Sequence, residues 1–263
     1  MSLTPEQLEQ CVDIVEHGEA ERQEIDRLTE QYPNLTMEEA YDIQQRLIAR
    51  KQEQGQRVLG RKLGLTSRAK QQMMGVHEPT YGTLVDYMLI NEGEPVCYSE
   101  LIHPKAEPEI AFYLKEDLEG PAVTGAQVLA ATEYVFPALE IIDSRYRDFK
   151  FTLVDVIADN SSSARYVLGG KPSRVTDLDL SLMGMVFYKN GEIVDTAAGA
   201  AVLGHPATAV AWLVRKLHER GEKLCKGDVV LSGALTGAID FRPGDIVQAH
   251  FEKLGSVTLT CKE

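Results

Sequence analysis

Apolar residues recur at helical spacing through the first 55 positions and, beyond about residue 95, at a spacing of two. Thr4-Pro5 predicts the opening of a long helix, with Thr as N-cap, Pro at the first helical position and Gln7 at the capping-box position. A second helix starts at Thr36 with Glu39 three residues on, carries Ala40, Tyr41, Ile43, Leu47 and Ile48 at helical spacing, and ends near Gly55. Tyr32-Pro33-Asn34 reads as the loop between them. The stretch Val58 to Leu65 predicts a strand whose glycines bring its backbone close to another element. A short helix is expected from Ser67 to about Met74, followed by an irregular segment from Gly75 to Gly82 that contains His77, Pro79 and Tyr81.

Strand-like runs then recur around 108–114, 135–142, 164–168, 181–188, 192–197, 228–232, 245–251 and 256–261, with helical patches at 125–133 and 206–219. Lys189-Asn-Gly-Glu192 is a hairpin signal, because Asn-Gly suits a two-residue turn. Lys253-Leu-Gly-Ser256 turns a second hairpin, and a helix entered at His205-Pro206 is capped at Gly221. Runs of strands with few regular βα alternations argue α+β, with a curled sheet or two-layered roll. The change of character divides the chain into an N-terminal helical, α/β portion over 1–95 and a β-roll domain over 96–263.

With 263 residues and 44% hydrophobic content, the chain can bury a sizeable core. Its net charge of −13 makes nucleic acid and anionic membrane surfaces poor partners. No unbroken apolar stretch reaches the length of a membrane helix, and no secretory signal is visible at the start. Cys11, Cys97, Cys225 and Cys261 lack metal or redox spacing and read as reduced thiols of a cytoplasmic protein.

The candidate chemistry sits in Lys105-Ala-Glu-Pro-Glu-Ile-Ala-Phe-Tyr-Leu114. A period of two puts Glu107 and Glu109 on one face beside Ala111, where two close carboxylates repel. Either Lys or Arg side chains pair with them, or they share a hard divalent cation, which favours oxygen ligands. Glu140, embedded in Val135-Phe-Pro-Ala-Leu-Glu-Ile-Ile-Asp143, adds a third acid that its apolar surroundings would not leave alone. The absence of a nearby Cys or His pair argues against zinc, and His103 reads as a surface or hydrogen-bonding residue. Lys62 stands at the exposed edge of a strand, the ordinary reading, or aims into a pocket. Asp159-Asn-Ser-Ser-Ser-Ala-Arg165 is a self-capping loop or a hydrogen-bonding rim for a carboxylate. Asp143-Ser-Arg-Tyr-Arg-Asp148 forms an ion-pair knot behind the acid strand.

Glu107-x-Glu109, Pro137-Ala-Leu-Glu140, Arg61-Lys-Leu-Gly-Leu-Thr66, Ala158-Asp-Asn-Ser161 and Leu203-Gly-His-Pro206, in order along the chain, resemble the fumarylacetoacetate hydrolase superfamily. The likeness is to its branch of 2-oxo acid hydratases and decarboxylases from the meta-cleavage degradation of aromatic compounds. It implies a mixed β-sandwich roll with a smaller N-terminal α/β portion, and Mg2+ or Mn2+ bound by Glu107, Glu109 and Glu140. The hydratases carry Gln-Pro-Asp-Phe-Gly where this chain has Glu78-Pro-Thr-Tyr-Gly82, so an acid suited to water addition is replaced by Thr80. Asp143-Ser-Arg-Tyr-Arg-Asp-Phe-Lys-Phe151 and Ser232-Gly-Ala-Leu-Thr-Gly-Ala238 are more similar to the decarboxylases. The superfamily's Gly-Thr-Pro turn stands here as Gly233-Ala234-Leu235, so no hydroxyl role carries over to it.

The resemblance implies decarboxylation of 2-oxo-3-hexenedioate to 2-hydroxypenta-2,4-dienoate, a carboxy-lyase reaction. Lys62 would be the catalytic cation and proton source, and Ser162 would bind a substrate carboxylate. Hydration of the dienoate is the alternative, and a non-catalytic partner subunit a remoter one. A homo-oligomer and a complex with the pathway hydratase are implied as well.

Overall fold

The structure, a computed structural model, describes residues 2–68, 71–72 and 76–263. Helix α1 (Pro5–Glu21) is followed by a one-turn helix α2 (Leu28–Gln31), which the periodicity does not announce, and by α3 (Met37–Glu53). Thr4 with Gln7 and Thr36 with Glu39 form complete capping boxes, so α1 and α3 begin where the sequence places them. Leu8, Cys11, Val12 and Val15 of α1 pack on Ala40, Ile43 and Leu47 of α3, and Tyr146, Ile157 and Ala158 join that cluster from the far half of the chain. Of the helix expected from Ser67 to about Met74, Ala69, Lys70, Met73 and Met74 lie outside the described residues, while Arg68, Gln71 and Gln72 are helical.

Thirteen strands occur among the described residues. They are β1 (Val58–Gly64), β2 (Thr80–Val85), β3 (Leu89–Ile90), β4 (Val96–Cys97), β5 (Lys105–Leu114), β6 (Thr132–Ile142) and β7 (Ser163–Leu168). The remainder are β8 (Gly184–Lys189), β9 (Glu192–Ala198), β10 (Val229–Leu231), β11 (Ile239–Asp240), β12 (Ile246–Phe251) and β13 (Gly255–Lys262). One sheet runs β2-β1-β10-β5-β6-β7-β3 with β11 beside β5, and the other β4-β13-β12-β8-β9. The class is α+β, as the strand runs indicate. Strands β1, β2 and β3 are hydrogen-bonded into the large sheet, which therefore spans the division expected near residue 95.

The segment read as irregular up to Gly82 is a correction: Thr80, Tyr81 and Gly82 lie in β2, paired antiparallel with Gly64, Leu63 and Lys62 of β1. Pro79 and Gly82 mask this strand in the sequence, and the hydrogen bonds offered by β1 supply what the local pattern lacks. Gly60 answers the expectation of close backbone approach. Its φ is +155°, and a Cβ there would stand 1.8 Å from the carbonyl oxygen of Val229 in the parallel neighbour β10.

Asn190-Gly191 joins β8 to β9 as its sequence requires, and the turn before Gly255 joins β12 to β13. Helix Pro206–Glu219 is entered through the His205 ring, whose Nδ1 accepts from the backbone of Ala207 at 3.0 Å. It ends at Gly221, where the Glu222 amide donates to Leu217 at 2.8 Å. Its Val210, Leu213 and Leu217 share one core with Phe112 and Leu139 of the large sheet and Phe187 and Leu259 of the small one. The four cysteines are free thiols, and no described helix is long and apolar enough to cross a membrane.

Candidate metal centre

Alternation along β5 sends Ala106, Ile110 and Phe112 into the core between the sheets and leaves Glu107, Glu109 and Ala111 on the opposite face. The β5–β6 register sets Glu107 directly across from Glu140, and Glu109 across from Ala138. Three carboxylates thereby converge, each offering an oxygen within 4.8 Å of the others. Glu109 and Glu140 are fully buried, and Glu109 Oε1 and Glu140 Oε2 have no hydrogen-bond partner. Glu109 Oε2 accepts from the backbone N–H of Gly233 at 2.6 Å.

Lys62 faces this trio. Its Nζ lies 3.0 Å from Glu140 Oε1 and donates to the carbonyl of Ser161 at 3.0 Å. The exposed-edge reading of this lysine is overturned, because β1 lies between β2 and β10 and the residue is 2% exposed. Burial acts to strip its proton, but the charges of Glu140, Glu107 and Glu109 outweigh it and hold the ammonium above its ordinary range. Burial first, and then the charge of Glu140, pushes the Glu109 carboxyl well above the usual carboxylate range. Glu140 is raised too, by burial and by Glu107 against the opposing pull of Lys62. Acid and base shift the same way, because the crowded carboxylates favour protons on one another and on the ammonium beside them.

The polar cluster folds into a turn at the end of helix Leu153–Ala158. Asn160, Ser161 and Ser162 all adopt left-handed φ, between 48° and 56°. Ser162 Oγ is buried, has no partner, and belongs to the wall of a cavity of about 110 Å3 that also exposes Lys62 and Glu107. Ser163 Oγ donates to Glu140 Oε1 at 3.4 Å, a contact the sequence offered only as part of the polar run. Leu65, Ile142, Phe149, Phe151 and Val156 form the apolar part of the same wall. Phe149 and Phe151 escaped the residue-level reading, although the stretch ending at Phe151 stood out by its likeness to the decarboxylases.

Behind the turn, Arg145 pairs with Asp159 in the interior and donates to the carbonyls of Asp143 at 2.7 Å and Ser163 at 3.1 Å. The charges from Asp143 to Asp148 thus do not knot with one another as expected: Arg145 pairs with Asp159, Arg147 with Asp26 at 3.1 Å, and Asp148 with Lys150 at 3.1 Å. His103 stands apart from the acids: its Nε2 lies 2.6 Å from the Ser144 carbonyl, and its backbone donates to Asp143 at 2.8 Å. A larger cavity of about 320 Å3 lies near Arg145, but Lys51 and Glu19 on its wall already pair with each other at 2.8 Å.

The orphaned oxygens of Glu109 and Glu140 test whether a cation fits. A buried carboxylate oxygen without a donor is costly, and a hard divalent ion satisfies several at once. An all-oxygen donor set on two paired strands suits Mg2+ or Mn2+ rather than zinc.

A family profile described as fumarylacetoacetate (FAA) hydrolase C-terminal matches residues 60–262. The chain is 46% identical over 257 residues to a 4-oxalocrotonate decarboxylase of Pseudomonas sp. (strain CF600), covering 98% of this chain and 97% of that protein. It is 42% identical over 255 residues to a 2-keto-4-pentenoate hydratase of Paraburkholderia xenovorans (strain LB400), covering 97% and 95%. The solved structure of 4-oxalocrotonate decarboxylase from Pseudomonas putida G7, complexed with magnesium and adipate, superposes with a TM-score of 0.96 at 42% identity over 99% of each chain. A fumarylpyruvate hydrolase from Pseudomonas aeruginosa shares the fold alone, at a TM-score of 0.62 and 15% identity, over 79% of this chain and 90% of that one.

Proposed function

The chain belongs to the fumarylacetoacetate hydrolase family, and from that premise we propose a metal-dependent carboxy-lyase that converts 2-oxo-3-hexenedioate (4-oxalocrotonate) to 2-hydroxypenta-2,4-dienoate and carbon dioxide in the meta-cleavage degradation of aromatic compounds. The observation that carries this reading is the convergence of Glu107, Glu109 and Glu140 on one another beside a cavity that Glu107 and Lys62 line. Those three acids would hold Mg2+, the ion named with the Pseudomonas putida G7 enzyme, or Mn2+. When bound, the ion supplies Lewis acidity that draws electron density toward the 2-oxo group as the carbon–carbon bond breaks.

The remaining work falls to the chain's own residues. Lys62, steadied by Glu140 and the Ser161 carbonyl, offers its ammonium to the oxygen on which charge develops and delivers the proton that yields the enol. Ser162 Oγ, free of any protein partner, donates to a substrate carboxylate. Leu65, Ile142, Phe149, Phe151 and Val156, on the wall of the same cavity, would limit the water that reaches the departing carboxyl. That lining favours loss of carbon dioxide over addition of water.

The acids belong to residues 96–263, and residues 1–95 contribute Lys62 through the shared sheet, on the mixed roll of this family. We further propose a cytoplasmic homo-oligomer that associates with the pathway hydratase, because the dienol product tautomerises in water unless it is passed on. Hydration is the second reading, supported by the 42% identity to a hydratase along nearly the whole chain. Incubation with 2-oxo-3-hexenedioate and, separately, with 2-hydroxypenta-2,4-dienoate decides between them. Release of carbon dioxide from the first supports the proposal, and consumption of the second alone overturns it.

A further inference from the structure

The turn carrying Ser162 runs against the preference of its own residues: three successive side-chain-bearing positions are left-handed, a conformation that rarely extends beyond one. Something outside the turn must hold it. Asn160 docks edge-on to β2, its Oδ1 accepting from the Thr83 amide at 2.7 Å and its Nδ2 donating to the Thr83 carbonyl at 2.9 Å. Ser161 Oγ donates to the Tyr81 carbonyl at 2.9 Å. Between those two contacts lies Gly82, where a Cβ would stand 2.6 Å from the Asn160 carbonyl oxygen. No side chain other than hydrogen fits there. On its other side the same turn presents the Ser161 carbonyl to Lys62 and sets Ser162, whose buried Oγ has no partner, in the wall of the cavity.

We infer that Asn160 is a positioning residue: its amide, clamped on Thr83 over the bare backbone of Gly82, fixes the left-handed turn that places Ser162 in the wall of the cavity and sets the Ser161 carbonyl on Lys62. The inference deepens the proposed function, since it rests on Ser162 binding a substrate carboxylate. It concerns neither the acids nor their cation. The clamp acts on these polar groups, whereas the three acids themselves stand on β5 and β6.

A double-mutant cycle tests it, with Asn160→Gly, which tolerates the left-handed φ while deleting the amide, Asn160→Asp, which keeps the acceptor for Thr83, and Ser162→Ala. The readouts are kcat/KM on 2-oxo-3-hexenedioate at saturating Mg2+, the affinity for 2-oxoadipate by calorimetry, Mn2+ binding by electron paramagnetic resonance, and exchange of the Thr83 amide. Asn160→Gly and Ser162→Ala are each expected to lower kcat/KM by about 10- to 100-fold, and the double variant to lie within about twofold of the worse single one. Mn2+ binding should be unchanged, Thr83 exchange faster in Asn160→Gly, and activity partly restored in Asn160→Asp. Multiplying losses, a silent Asn160→Gly, or a fall that merely tracks lost Mn2+ binding overturns the inference. Should the protein release no carbon dioxide, the proposed function fails, and the same cycle on 2-oxoadipate affinity still decides the role of Asn160.

Discussion

Glu107 and Glu140 are direct partners across the antiparallel pair β5–β6, two acids occupying one cross-strand position. Like charges so placed destabilise a sheet, and here Glu109 joins them on the same face. The pairing is sensible only if positive charge is brought to it, which Lys62 does in part.

Glu109→Gln removes one acid while keeping an acceptor for the Gly233 amide. The metal-free variant is expected to melt at a higher temperature than the wild type, because a buried repulsion is relieved. With Mg2+ the order reverses: the wild type gains stability, the variant does not, and turnover falls by at least about 100-fold, worth a few kcal/mol of transition-state stabilisation. Thermal melts with and without Mg2+, alongside carbon dioxide release, check both halves.

Metal binding should strengthen with pH. Glu109 and Glu140 are held above the ordinary carboxylate value of 4.5, so the folded metal-free chain binds more protons there than the unfolded one. Their contribution to metal-free stability is therefore present at low pH and is lost as pH rises through the raised values. A cation competes with those protons, and its binding releases them. The rise in melting temperature on adding Mg2+ is expected to grow between about pH 5 and pH 8, and calorimetry in buffers of different ionisation enthalpy to register proton release. A shift that is flat or shrinks with pH contradicts the assignment of these acids as ligands.

Lys62→Met keeps the length of the side chain and deletes its charge. The metal-free protein loses the ammonium that pairs with Glu140 and should be destabilised by roughly 3–5 kcal/mol, less whatever proton uptake by Glu109 recovers. Affinity for Mg2+ should hold or rise, while turnover drops by about 100-fold or more for want of the proton donor. A Lys62→Met enzyme that binds metal with full turnover removes the catalytic role given to Lys62.

Arg145 and Asp159 form an interior ion pair. Arg145→Met strands a buried carboxylate and is expected to cost about 3–5 kcal/mol, read as a lowered urea midpoint. The double variant Arg145→Met/Asp159→Asn should be more stable than the single one. If it is not, the pair contributes through something other than charge.

Much of this molecule can be read before it folds. Thr4 and Thr36 mark their helices, because a capping box is complete within four residues. The alternation around Glu107 and Glu109 puts both on one face, because the pleat does so for any strand. Thr80 to Gly82 escaped, since Pro79 and Gly82 argue against a strand locally and only the neighbouring β1 overrules them. The left-handed turn at Asn160 escaped for the same reason: its residues do not prefer it, and Thr83, distant in the chain, imposes it.

By itself the sequence determined the long helices and most of the longer strands, the shared face of Glu107 and Glu109, and a polar cluster of undecided purpose. Only the tertiary structure decided that Lys62 is interior, that it meets Glu140 and Ser161, and that Ser162 lines the same cavity as Lys62. The direction of a side chain along a strand follows from backbone geometry within a few residues. Which strands become neighbours is settled by burying a common core across long stretches of chain, and no local pattern encodes that choice.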